Sequence, residues 1–270
     1  MLRRALVTVG MLALGAIASA QTPAQLAQLT KARQSLNQGQ YDQAIAAAAD
    51  ARKAPMLAAA ADLVLGRAFV ERYHASSDST DLQQAHTLLA AVDPVRLATT
   101  DRRDLTIGLG LTVFFEGRPG AAAELLEVAL ASHIDAAGGD PRARERLFDW
   151  WATAVDRAAQ LAPDAGRHKY YQRIVEQSEA ELARDALSLT AGYWLAAGAR
   201  GAAELDRAWD AAIAAWIRAK GQANQSARAD LDVLVIAAII PERARALDPR
   251  ATQALISAMR AEWEQIKSSW

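Results

Sequence analysis

GLGLTVFFEGRPGAAAELLEVAL, residues 108–130, decides how the rest of the chain is read. Leu109, Val113 and Phe114 give one helical stripe, Gly-Arg-Pro-Gly interrupts it, and Leu125, Leu126, Val128 and Leu130 begin a second apolar face. Small residues recur at Gly110, Gly117, Ala122 and Ala129, where two helices joined by a short turn have to touch. The stretch therefore predicts a helix-turn-helix hairpin.

The wider composition agrees with helices. Of 270 residues 52% are hydrophobic and 23% charged, enough apolar material for a folded core. Much of it is Ala, in runs such as AIAAAADA and WDAAIAAW, while β-branched residues are sparse, so an almost entirely helical protein is expected.

Residues 1–20 combine Arg3 and Arg4, an apolar run over 5–17 and Ala18-Ser19-Ala20, the pattern of a cleavable secretory signal peptide. The run is shorter than the ~20 residues a membrane span needs, and no further candidate span follows. Cleavage after Ala20 lowers Lys+Arg from 30 to 28 against 31 Asp+Glu, so the formal charge moves from −1 to −3. A mildly acidic chain without a basic run offers nucleic acid or anionic lipid no broad attraction. The absence of cysteine excludes disulfides, thiolate metal sites and cysteine nucleophiles. A periplasmic or secreted location is expected.

The opening hairpin has copies. Ala32, Gly39, Ala44, Ala48 and Ala51 stand at the spacing of Gly110, Gly117, Ala122, Leu126 and Ala129, with one position enlarged from Ala to Leu. Tyr41 follows the first turn where Pro119 follows the later one. A second copy runs over about 59–94, with Leu65-Gly66 and Phe69 before, and Ala85, Leu89 and Pro94 after, a polar stretch YHASSDSTD (73–81) expected as a long loop. Asp78, Ser79, Thr80 or Asp81 is placed to cap the helix that follows it. A weaker fourth copy spans about 189–218, with Leu195-Ala196, a turn flanked by Gly198 and Gly201, and Ala208, Ala212 and Ala215. This pattern resembles the tetratricopeptide repeat, a helix-turn-helix unit of about 34 residues. The resemblance is best over 26–131.

Between the third and fourth copies the pattern predicts helices over 142–161 and 168–184, joined by Ala-Pro-Asp-Ala-Gly, with Asp140 capping and Pro141 starting the first. After the fourth it predicts a helix over 228–240 stopped by Pro241, then a segment over 242–247 and a final helix over 249–270 capped by Asp248. The expected architecture is all-α: a right-handed α-solenoid of TPR-like hairpins closed by a helical C-terminal cap, with repeats over 21–135 and further hairpins over 136–270.

No residue pattern calls for catalysis, a cofactor or a metal. His74, His86, His133 and His168 have no metal-ligand spacing, and nucleophile and phosphate-loop motifs are absent. Glu145, Asp149 and Asp156 share one helical face, which reads as solvated charge. All seven Trp lie at or after Trp150; aromatics at such spacing read mainly as packing.

What the resemblance implies is a scaffold that binds a protein or peptide partner in the cell envelope through a groove lined by first helices. The family's groove positions fall on Arg33 and Asn37, Arg67 and Glu71, Phe115, and Tyr193 and Arg200. Two rivals remain open: a carbohydrate- or cell-wall-fragment-binding protein using the C-terminal tryptophans, and a helical envelope enzyme, which requires a pocket gathering Asp149, Asp156 and His168.

Overall fold

The computed structural model describes residues 23–132, 141–220 and 225–270, and all regular structure in them is helical. The expected leader, His133 and the Asp140 cap lie outside those residues. Thirteen α-helices follow one another among the described residues: α1 (Pro23–Asn37), α2 (Tyr41–Ala51), α3 (Ala58–Ser76), α4 (Ser79–Ala91), α5 (Thr99–Phe115), α6 (Pro119–Ala131), α7 (Pro141–Leu161), α8 (Asp164–Arg184), α9 (Leu189–Gly201), α10 (Leu205–Arg218), α11 (Gln225–Leu234), α12 (Ile240–Leu247) and α13 (Thr252–Ser269). Each helix packs on the next in the chain or continues into it. In addition α1, α3, α5, α7 and α9 each pack on the next odd-numbered helix, as far as α11, making one continuous layer.

Three hairpin turns close in the same way. At the end of α1, Gln40 N–H donates to Ser35 O (2.9 Å) and Gly39 N–H to Leu36 O (3.1 Å); Arg118 and Gly117 repeat this to Val113 O and Phe114 O, and Glu204 and Ala203 to Ala199 O and Arg200 O. Such a closure needs a left-handed residue just past the helix. Gly39 and Gly117 supply it at φ +72° and +80°, as their spacing implied. In the third hairpin Ala203 takes that conformation at φ 63°, and Gly198 and Gly201, expected to flank the turn, are instead inside α9. There they admit neighbours: a Cβ on Gly201 would come 2.3 Å from the Tyr171 ring and one on Gly198 2.9 Å from Ile174.

Volume exchange explains the imperfect repeat. Ala32 and Ala48 are fully buried in the first hairpin. At the matching places the third has Gly110 and Leu126, and a Cβ on Gly110 would meet Leu126 at 3.0 Å. The methyl lost from one helix leaves room for the leucine on the other. Leu89 of α4 goes further and fits between two helices of the odd layer, since a Cβ on Gly66 would stand 2.5 Å from its Cγ and one on Gly108 3.1 Å from its Cδ1.

Several boundaries differ from expectation. The polar stretch 73–81 contains only a two-residue connection, Ser77-Asp78, because Ser77 turns the chain at φ 59° and Asp78 caps α4 by accepting from Thr80 N–H at 2.9 Å. Helix α8 begins at Asp164, four residues before the expected start. Pro241 does not stop the chain: α11 passes through a π-turn, Val235–Ile239, into α12. Proline lacks an N–H and clashes with the carbonyl four residues back, and the wider turn accommodates both defects. Asp248 Oδ1 accepts from Arg250 N–H (2.8 Å) and so organises a turn, leaving α13 to begin at Thr252.

Among the described residues three apolar cores follow one another, one under α1–α5, one under α6–α9 and one chiefly under α9–α13 with Val175 of α8. Ile107 and Trp150 pack against both of the first two, and Tyr193 against the second and third. The last core closes on Trp263, fully buried against Trp209 and Trp216 with ring centroids at 6.0 and 5.4 Å, its indole N–H donated to Asp232 at 2.7 Å.

A candidate binding groove on the odd-numbered helices

Two cavities lie along the odd-helix layer. The first, about 810 Å³, is lined chiefly by α1, α3, α5 and α7. The second, about 1130 Å³, lies between α7, α9, α11 and the π-turn. Arg142 and Arg146 line both, so the two are stretches of one groove. Residues on α7 show why: positions 142, 146, 149 and 153 recur at helical spacing and present one face to it.

Four of the seven groove positions expected from sequence, Arg33, Asn37, Arg67 and Glu71, line the first cavity together, and Tyr193 lines the second. Phe115 and Arg200 line neither. Phe115 is turned into an aromatic cluster with Tyr73 (5.1 Å), His74 (5.6 Å) and Trp150 (5.6 Å). Arg200 is held by two bonds to Glu242, 3.0 and 2.5 Å, which tie α9 to α12.

In the first cavity the charges are matched internally. Arg33 Nη2 lies 2.8 Å from Asp101 Oδ2, Arg67 Nη2 3.5 Å from Glu71, and Arg103 Nε 3.7 Å from Asp104. The second cavity is different. Glu145 accepts from the Ser188 hydroxyl (2.9 Å) and Asp149 from the Trp194 indole (2.8 Å), both neutral donors, and Asp230 is exposed beside them. Asp149 is open to solvent on one side while protein atoms crowd it on the others. That crowding, with the nearby charges of Asp230 and Glu145, pushes its pKa above the usual carboxylate value despite the indole bond. The Tyr193 phenol is likewise raised, first by burial and then by Asp230, Asp156 and Asp149.

Asp156 sits farther along α7, outside the cavity lining; burial raises its pKa and a hydrogen bond from Tyr171 opposes the rise. His168 is outside the lining too, so this cavity does not bring Asp149, Asp156 and His168 together. Among the described residues no group of three His, Asp or Glu is placed to hold a metal ion, and no helix is long and apolar enough to cross a membrane. The tryptophans do not form an exposed row: Trp151, Trp194, Trp209 and Trp263 are buried, Trp150 is half-buried in the first cavity, and only Trp270 at the chain end is largely exposed, at 52%.

Sequence reasoning missed Asp101, Arg103, Asp104, Arg142, Arg146 and Asp230 as groove residues. Their signal was helical phase: Asp104, Ile107 and Leu111 follow one another on the groove face of α5 as Arg142, Arg146 and Asp149 do on α7. No family model, curated protein or solved structure matches the chain.

Proposed function

We propose that this chain is an exported, non-catalytic scaffold of TPR-like hairpins, arranged as a right-handed solenoid, that holds a protein or peptide partner of the cell envelope in the groove of its odd-numbered helices. The observation that carries this reading is the groove itself: six helices from separate hairpins contribute to one continuous surface lined with Arg, acidic and aromatic side chains. Interfaces draw their anchors chiefly from the Arg and aromatic residues among these. The same-pattern turns after Asn37, Phe115 and Gly201 support the hairpin resemblance.

The cysteine-free sequence makes a clean test available. A single cysteine in place of Asn37 or Arg103, carrying a photocrosslinker, is expected to trap a partner in envelope extracts, whereas one in place of Val128, exposed and outside the groove, is not. Equal trapping from both positions, or none, rejects the groove. Charge reversal at Arg67 is expected to weaken the capture. Fractionation with N-terminal sequencing tests export: the mature chain is expected to begin at Gln21.

One observation favours a second reading. A carboxyl with a raised pKa on a cavity wall, as at Asp149, is also what a general acid requires. Turnover of any envelope substrate that is lost in Asp149→Asn would establish it in place of the scaffold.

A further inference from the structure

The two halves of the groove satisfy their charges differently. In the α1–α5 half Asp101, Glu71 and Asp104 each have an arginine within 4 Å. In the other half Glu145 and Asp149 are held by a hydroxyl and an indole, neither of which offsets a negative charge. Asp230, opposite them on α11, adds a third carboxylate. Arg142 and Arg146 line the same cavity, but the charges felt at Asp149 are those of Asp230 and Glu145, and like charges on facing helices cost stability. The three are not placed to share a metal ion. Beside them Tyr193 and Trp194 stand edge to face at 5.4 Å, and Val233, Leu234, Ala237 and Ala238 give the cavity an apolar lip. Carboxylates above an aromatic and apolar wall match a long side chain with an aliphatic stem and a cationic head.

Resting on the groove reading above, we propose that the cavity between α7, α9 and α11 receives a lysine or arginine side chain of an extended polypeptide segment, its head among Glu145, Asp149 and Asp230 and its stem along Tyr193. The occupant is a protein segment, because a groove of this length continues past the cavity to α1.

The test is selection of a random dodecapeptide library on the full mature chain, residues 21–270. Peptides recovered with the unaltered chain are expected to be enriched in Lys or Arg at one position. Asp230→Lys, at an exposed residue, and Asp149→Asn, which keeps an acceptor for Trp194, are each expected to abolish that enrichment while circular dichroism shows the fold intact. For one recovered peptide, replacing its basic residue by norleucine is expected to weaken binding about tenfold, the size of one charge-assisted contact. Asp230→Lys should then cause no further loss against the norleucine peptide. Peptides that bind, are displaced by a bulky label at position 103, and show no basic preference overturn the cation site and leave the groove reading standing. Failure to recover any peptide overturns both.

Discussion

Arg72 and Asp81 face each other in a two-pronged ion pair, Nε to Oδ2 at 2.8 Å and Nη2 to Oδ1 at 2.7 Å, and Asp81 is only 3% exposed. The third arm of the guanidinium reaches Asp42 at 2.5 Å, so one arginine on α3 ties α4 to α2 across two hairpins. Its pKa is driven up chiefly by these hydrogen bonds, with Asp81 first. Asp81→Ala leaves a partly buried cation without its main partner. It is expected to destabilise the chain by about 2–3 kcal/mol, below the ~3–5 kcal/mol of a fully buried pair because Arg72 keeps a third of its side chain in water. Urea unfolding measures this; Arg72→Met with Asp81→Leu should restore most of it.

Helix spacing provides a second check. Gly66→Ala drives a methyl into Leu89 and is expected to cost about 1–3 kcal/mol by overpacking. Gly120→Ala, in a helix with nothing within 4 Å of the added Cβ, is expected to gain a few tenths to about 1 kcal/mol. If both substitutions had the same effect, close approach would not be the reason for Gly66.

Ala203 holds a left-handed conformation that an L side chain rarely adopts. Ala203→Gly is therefore expected to stabilise the α9–α10 hairpin by about 0.5–1 kcal/mol, and Gly117→Ala to destabilise the α5–α6 hairpin by a similar amount. Paired melting curves of the two variants decide whether the turns are equivalent.

The groove carries a stability cost that should be visible in pH. Burial raises the pKa of Asp149 above its unfolded value, so the ionised form is disfavoured by folding at neutral pH. As pH falls through the raised value the folded state takes up its proton first and the cost disappears. Asp149→Asn, which cannot ionise, should melt higher than the unaltered chain at pH 7, with the two converging below about pH 3. A difference independent of pH would assign the effect to packing.

Much of the fold was written in local chemistry. Gly39 and Gly117 announced left-handed turns, Ala runs announced helices, and the paired small residues marked where helices touch. The errors came where a second, distant group changed the outcome. Asp81 reads as one of four possible caps, yet it is drawn inward by Arg72, leaving Asp78 to cap. Gly201 reads as a turn residue, yet Tyr171 of α8 occupies the space its missing side chain leaves. Pro241 reads as a stop, yet the widened turn before it lets the helical path continue.

The site divides along the same line. Arg33, Asn37, Arg67 and Glu71, expected from the family resemblance, line one cavity because first-helix positions recur with the hairpins. Glu145 and Asp149 looked like ordinary solvated charge, since periodicity alone does not distinguish a helix face turned to open solvent from one turned to another helix across a groove. By itself the sequence determined the helical class, the turns at Gly39 and Gly117 and the small-residue contacts of those hairpins, because these depend on residues within one or two turns of each other. Only the tertiary structure decided that α11 stands opposite α7, and so that Asp230 joins Glu145 and Asp149, because that juxtaposition comes from how successive hairpins stack rather than from any residue's neighbours in the chain.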